Sequence, residues 1–197
     1  MPPSLNRPLI LGSTSSYRRE LLLRLRIPFD VVAPHVDETP APTETPSQLA
    51  CRLAMAKARA VAARFPQAVV IGSDQVADLN GQAIGKPLVH QAAVAQLRRM
   101  SGRLVIFQTA VAVVCEATQF AQMELARVQV RFRKLKDAEI ETYLLAEQPY
   151  DCAGSAKSEG LGIALLDSID SDDPSALVGL PLIRTCRLLR AAGATLP

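Results

Sequence analysis

Gly12-Ser13-Thr14-Ser15-Ser16-Tyr17-Arg18-Arg19 gathers hydroxyl side chains and two arginines where an apolar run gives way to a helical pattern. Backbone N–H groups at a helix start carry partial positive charge, and arginine adds donors in a planar fork. The segment therefore reads as a phosphate cradle, or more plainly as a capped helix with solvated arginines. It is no Walker A loop, because the Gly-x4-Gly-Lys-Ser/Thr spacing is missing. In Gly72-Ser73-Asp74-Gln75, Asp74 follows the apolar run Ala68 to Ile71 and is expected at the end of a buried strand, where α/β folds present catalytic groups. A lone strand-end Asp is also a common structural residue. Lys57 on the preceding helical stretch and Lys86 in Gly85-Lys86-Pro87 give that acid two cations, a combination suited to polyphosphate. Glu38, in Val36-Asp37-Glu38-Thr39-Pro40, adds a loop carboxylate, as a metal ligand or as a solvated charge. In Cys152-Ala153-Gly154-Ser155-Ala156-Lys157-Ser158-Glu159-Gly160 the small residues let the backbone approach a ligand, with Lys157 and Glu159 in reach, although a surface loop has the same composition.

The elements that must hold these residues follow from hydrophobic periodicity. Pro8 to Gly12 reads as a short buried strand, and Tyr17 to Arg26 as a helix with Leu21, Leu22 and Leu25 at helical spacing. Pro34 to Pro46 is an exposed loop; a helix over Pro46 to Arg64 follows, with Thr45 as N-cap and Pro46 at its first position. A strand over Ala68 to Ile71 ends in Gly72, Asn80-Gly81 marks a tight turn, and Gln91 to Met100 is helical. Arg103 to Cys115 and Met123 to Phe132 read as long strands that pair like a hairpin, and Asp137 to Glu147 as a helix. The tail gives a Gly-rich loop over Gly154 to Gly162, a short apolar strand, an acidic turn over Asp167 to Asp173 and a closing helix over Leu180 to Ala192. This alternation argues for an α/β or mixed α+β fold, one domain over 1–197 with two lobes around a cleft.

Composition restricts the partners. With 197 residues and 49% hydrophobic content, the chain can bury one substantial core. No apolar run approaches the ~18 residues of a membrane span, and the start Met1-Pro2-Pro3-Ser4-Leu5-Asn6-Arg7 lacks the apolar centre of a signal peptide. The expectation is a cytoplasmic protein without a membrane partner. Four widely separated cysteines read as free thiols, and two histidines leave any metal to oxygen ligands, which favours Mg2+ or Mn2+. A net charge of +3 spread along the chain and only 4% aromatics suit a small anion better than a nucleic acid.

Taken together, these segments resemble the Maf family of nucleotide pyrophosphatases from Leu9 to Leu189. The resemblance is carried by Ser13-Thr14-Ser15 with Arg18-Arg19, Val36 to Pro40, Arg52-Leu53-Ala54 with Lys57-Ala58, Gly72 to Val76, Gly85-Lys86-Pro87, Leu97 with Ser101-Gly102, and Val178 to Leu182. It implies the Maf/ITPase-like fold, an elongated central mixed sheet flanked by helices. Ser73-Asp74-Gln75 and Gly154 to Gly160 look like the subgroup that hydrolyses 7-methyl-GTP, a house-cleaning activity against modified nucleotides. Gly12 and Ser16 depart from the alanine and proline common at those places.

The resemblance further implies Asp74 as general base or metal-bound activator of water, with Lys57 and Lys86 beside it in the chemistry. Ser13, Arg18, Arg19 and Lys157 would bind substrate; Tyr17, Gln75 and Glu159 match its specificity positions; Asp74 and Glu38 would hold the divalent ion. N7-methylation makes guanine cationic, so stacking on Tyr17 would gain a cation–π contribution, and Glu159 would accept from the guanine N1–H and amino group. Other readings stay open at this point: a Maf-type enzyme acting on dTTP, UTP or CTP, a nucleotide-binding module without catalysis, a basic surface that binds nucleic acid, and a homodimer in place of a monomer.

Overall fold

A computed structural model describes residues 3–197; Met1 and Pro2, where the segment read as lacking a leader begins, lie outside them. β1 (Leu9–Gly12) is the expected apolar run, buried at all four positions. α1 (Ser16–Leu23) starts at Ser15, whose side chain accepts from Arg18 N. After the two-residue β2 (Asp30–Val31) and the exposed loop, α2 (Pro46–Ala62) opens with a capping box: Thr45 and Gln48 satisfy each other's backbone N–H, and Pro46 costs nothing at a position with no donor to offer.

β3 (Val69–Leu79) corrects the expected boundary, for it runs eleven residues and carries Asp74 in its middle. Gly72 reads as a stop in sequence; in space it is a point of close approach. A Cβ there would run into the α2 backbone at Ala54 and Ala58, so the glycine lets the helix lie directly on the strand. Asn80-Gly81 turns the chain into β4 (Gln82–Ile84), then α3 (His90–Met100) leads to β5 (Leu104–Cys115) and β6 (Phe120–Phe132). α4 (Asp137–Glu147), β7 (Leu166–Asp170) and α5 (Leu182–Ala191) complete the chain, with 3-10 turns at Ala153–Ser155, Leu161–Leu165 and Pro174–Val178. The expected apolar strand before the acidic turn is the 3-10 turn at Leu161–Leu165, and the strand lies in the acidic residues themselves. Among the described residues β7 pairs only with β6, and a polar edge strand resists further pairing.

The strands form one seven-stranded mixed sheet in the order β2-β1-β3-β5-β6-β7, with β4 also on β3; β1 runs parallel to its two neighbours and the other pairings are antiparallel. Alternation sorts its two faces. Leu9, Leu11, Val69, Ile71, Val111 and Val113 pack with α1 and α5, while Ile10, Val70, Ala110 and Ala112 pack under α2. A further cluster closes the far end, where Ala77, Leu79 and Phe107 meet α3 and α4.

The feature that matters for the site is an interruption along one edge of β3. β1 pairs with it only as far as Gly72, and β4 joins only at Ala77. Among the described residues no strand covers Ser73 to Val76 on that side, although β5 runs past all of them on the other. The sheet has a window there, and Asp74 stands in it.

Candidate active site

Built outward from the window, the site is a cleft of 610 Å³ lined by the first loop, β3, the turn after β4 and the loop over 151–159. Asp74 shares the sheet face of Val70 and Gly72, which α2 covers, so it meets the helix. Lys57, buried on α2, donates from Nζ to Asp74 Oδ1 at 2.6 Å and contacts Glu38 Oε1 at 2.8 Å. One ammonium thus holds two carboxylates, and the three side chains come from three parts of the chain. The Asp74 side chain is 9% exposed and that of Glu38 57%, so one acid of the pair is sheltered and the other is open to water.

Arg18 enters from α1. Its Nε donates to the Gly179 carbonyl at 2.8 Å, and a terminal nitrogen reaches Ser13 Oγ at 3.4 Å. Burial pulls its pKa below the ordinary arginine value, opposed by Asp74 and Glu38, and a guanidinium stays protonated under such a shift. Ser13 Oγ also accepts from Ser15 N at 3.2 Å, which makes Ser13 a brace for the loop as well as a wall of the cleft. Ser73 Oγ lies 2.8 Å from the Ala110 carbonyl oxygen and 3.0 Å from that of Gly179, with one hydrogen to share between them. Gly179 has φ of 123°, a conformation open to glycine and strained for other residues.

The other expected residues divide. Lys86 is exposed and lines the cleft. Its turn is tied down by Gln96 Nε2 donating to the Gly85 carbonyl at 3.1 Å and by Leu88 N donating to the Tyr150 carbonyl at 3.0 Å. Tyr17 and Glu159 line the cleft as well. Arg19 does not: it is exposed, one residue and about 100° further round the helix than Arg18. Lys157 is also absent from the lining. It pairs with Glu147 at 3.0 Å and lies over the Tyr17 ring, 5.7 Å from its centroid, so the ring already carries a cation on one face.

Gln75 lines the cleft, but its amide nitrogen donates to the carbonyls of Ala176 and Leu177 at 2.9 Å each and to Thr109 Oγ1 at 3.0 Å. A side chain read as a reader of the base is thereby committed to fixing the turn that ends in Gly179. Sequence reading finds no signal for Thr109 and assigns no role of their own to Asp151, Ser73 and Cys152, although Ser73 and Cys152 stand inside quoted segments. Asp151 and Cys152 flank Tyr17, whose hydroxyl lies 3.5 Å from Asp151 Oδ1 and 3.8 Å from Cys152 Sγ. Burial, with the nearby Asp151 carboxylate, pushes the Cys152 thiol up to about 11, and burial raises the Tyr17 phenol above its usual value. A signal was present for Ser73 and Asp151, since each adjoins a residue already singled out or a quoted segment.

For a metal, the side chains that could serve as donors are Asp74 and Glu38. Among the described residues no group of three His, Cys, Asp or Glu side chains is placed to hold an ion. Two carboxylates in a cleft that also carries Arg18 and Lys86 nevertheless fit Mg2+ or Mn2+, which take one or two carboxylates and complete their shell with substrate oxygens and water. The cleft thus brings together a sheltered acid paired with Lys57, the cations Arg18 and Lys86, an aromatic ring, and the carboxylates of Asp151 and Glu159.

The family model described as Maf-like protein matches residues 8–192. A 7-methyl-GTP pyrophosphatase of Albidiferax ferrireducens is 74% identical over 193 residues, which is 98% of this chain and 97% of that protein. One from a Polaromonas species is 71% identical, over 97% of this chain and 87% of the relative. A third, from Burkholderia pseudomallei, is 63% identical over 94% of this chain and 87% of its own length. With that match spanning the sheet, the window and every cleft-lining loop, the chain belongs to the Maf family.

Proposed function

We propose that this protein hydrolyses 7-methyl-GTP to 7-methyl-GMP and pyrophosphate, in the cytosol, with Mg2+ or Mn2+. The observation that carries the reaction type is the Lys57–Asp74 pair at the sheet window, in a cleft that Arg18 and Lys86 also line. The base preference is supported by relatives at 59–74% identity named 7-methyl-GTP pyrophosphatase, and by Tyr17, Asp151 and Glu159 in the lining of the same cleft, where a cationic base would meet carboxylates.

Arg18, Lys57 and Lys86 bind the triphosphate, and the Gly179 carbonyl fixes how the guanidinium is presented. Lys57 holds the Asp74 carboxylate in one orientation, so that its other oxygen can take the proton of a water aimed at the α-phosphorus. The water oxygen bonds to that phosphorus, the bridging α–β bond breaks, and pyrophosphate leaves against Lys86 and Arg18. A divalent ion held by Asp74 and Glu38 would neutralise phosphate charge and favour ionisation of the attacking water. The deciding assay is pyrophosphate release across canonical and 7-methylated nucleotides, with and without metal. Equal rates on GTP, dTTP and 7-methyl-GTP would remove the base preference, and no release from any of them would remove the enzyme.

A further inference from the structure

Glu38 belongs to a loop over 32–45 that has no regular structure and is largely exposed, yet its carboxylate stands 2.8 Å from a buried ammonium. A segment without a core of its own needs an anchor to hold one side chain in place. Arg52, on the same helix as Lys57, provides contacts of that kind. Its Nε donates to Glu44 Oε1 at 2.7 Å and a terminal nitrogen donates to Glu44 Oε2 at 2.9 Å, a fork on a carboxylate. That terminal nitrogen also donates to the carbonyl of Thr39, the residue after Glu38, at 3.0 Å. Glu44 accepts from Ala41 N at 3.0 Å, and Asp37 accepts from Thr39 N at 2.9 Å, so the chain on both sides of Glu38 is bound. The Arg52 guanidinium holds the Glu44 carboxyl down at about 2, and the pair stays ionised through the neutral range.

We infer that Arg52 and Glu44 are positioning residues, a clamp that sets Glu38 over the Lys57–Asp74 pair. Neither lines the cleft, so each acts through the loop and not on substrate. The inference rests on the proposed role of Glu38 toward the divalent ion. Lysine could not replace Arg52, because a point charge cannot span both Glu44 oxygens and the Thr39 carbonyl together.

The test is a double-mutant cycle between Arg52→Ala and Glu38→Ala, followed by turnover of 7-methyl-GTP, by calorimetric binding of Mn2+ in the presence of pyrophosphate, and by thermal melting. Arg52→Ala is expected to weaken Mn2+ binding about tenfold or more, with Arg52→Lys recovering little of it. The double variant should be no worse than Glu38→Ala alone within about twofold, because the clamp has no other route to the site. If the two losses multiply, the clamp is wrong and the role of Glu38 stands. If Glu38→Ala by itself keeps wild-type turnover and Mn2+ binding, the role of Glu38 falls and the clamp falls with it. Should melting show Arg52→Ala unfolded, Glu44→Gln, which keeps the shape and deletes the charge, takes its place in the cycle under the same two criteria.

Discussion

Asp74, Lys57 and Gln75 show how one side chain's neighbours decide its role. Asp74→Asn should lower turnover by a factor of about a hundred or more in a pyrophosphate-release assay, since the amide can neither take a proton nor hold Lys57 as an ion pair. Lys57→Met leaves a sheltered carboxylate without its cation and should cost about 3–5 kcal/mol in urea unfolding besides abolishing turnover. Gln75 separates two accounts of a cleft residue. Its amide bridges two carbonyls of the turn leading to Gly179, so Gln75→Leu should cost about 1–3 kcal/mol and depress hydrolysis of every nucleotide alike. A selective loss on 7-methyl-GTP would return it to the base. The types of these residues were legible in sequence, because an acid between two lysines already speaks of polyphosphate. Their partners were not: the contact of Gln75 with Ala176 and that of Lys157 with Glu147 join distant parts of the chain, and no local spacing records them.

Secondary structure was legible wherever a local rule governed it, as with Thr45 as N-cap and Pro46 at the first position of α2, the Asn80-Gly81 turn and the alternation along β6. It failed where tertiary packing overrode the local signal. Gly72 reads as the end of the strand and Asp74 as a strand-end residue, whereas β5 pairs with β3 from Val70 through Asp78. Gly72→Ala tests the packing account: a methyl directed at the backbone of α2 should destabilise the fold by about 1–3 kcal/mol, or a few degrees in melting temperature, and should depress activity by displacing Lys57 from Asp74. If the variant melts as wild type does, α2 does not lie where Lys57 needs it. Arg18 and Arg19 differ for a reason helical periodicity does supply, one facing Gly179 and the other solvent.

For the molecule as a whole, stability should form a plateau in pH. Glu44, from an ordinary 4.5 to about 2, and Asp37, Glu139, Glu147 and Asp172 in the same direction, are held down by hydrogen bonds and basic neighbours. Groups lowered on folding add stability above their unfolded values and lose it as pH falls between the unfolded and folded ones, so urea midpoints should drop below about pH 4.5. Cys152, raised from 9.0 to about 11, and the tyrosines Tyr17 and Tyr143 work in the opposite sense, and the midpoint should drop again as pH rises past 9. A midpoint that stays flat below pH 4.5 would contradict the carboxylate assignments, and one that keeps climbing past pH 9 would contradict those of Cys152 and the tyrosines. The window beside β3 has one more consequence, which concerns time instead of energy. Alternate backbone amides from Ser73 to Val76 that point away from β5 have no strand to protect them, while those on either side are paired to β1 or β4. Their hydrogens should exchange with deuterated solvent far sooner than their neighbours' and slow when nucleotide fills the opening, so the strand that carries Asp74 also reports occupancy of its own site.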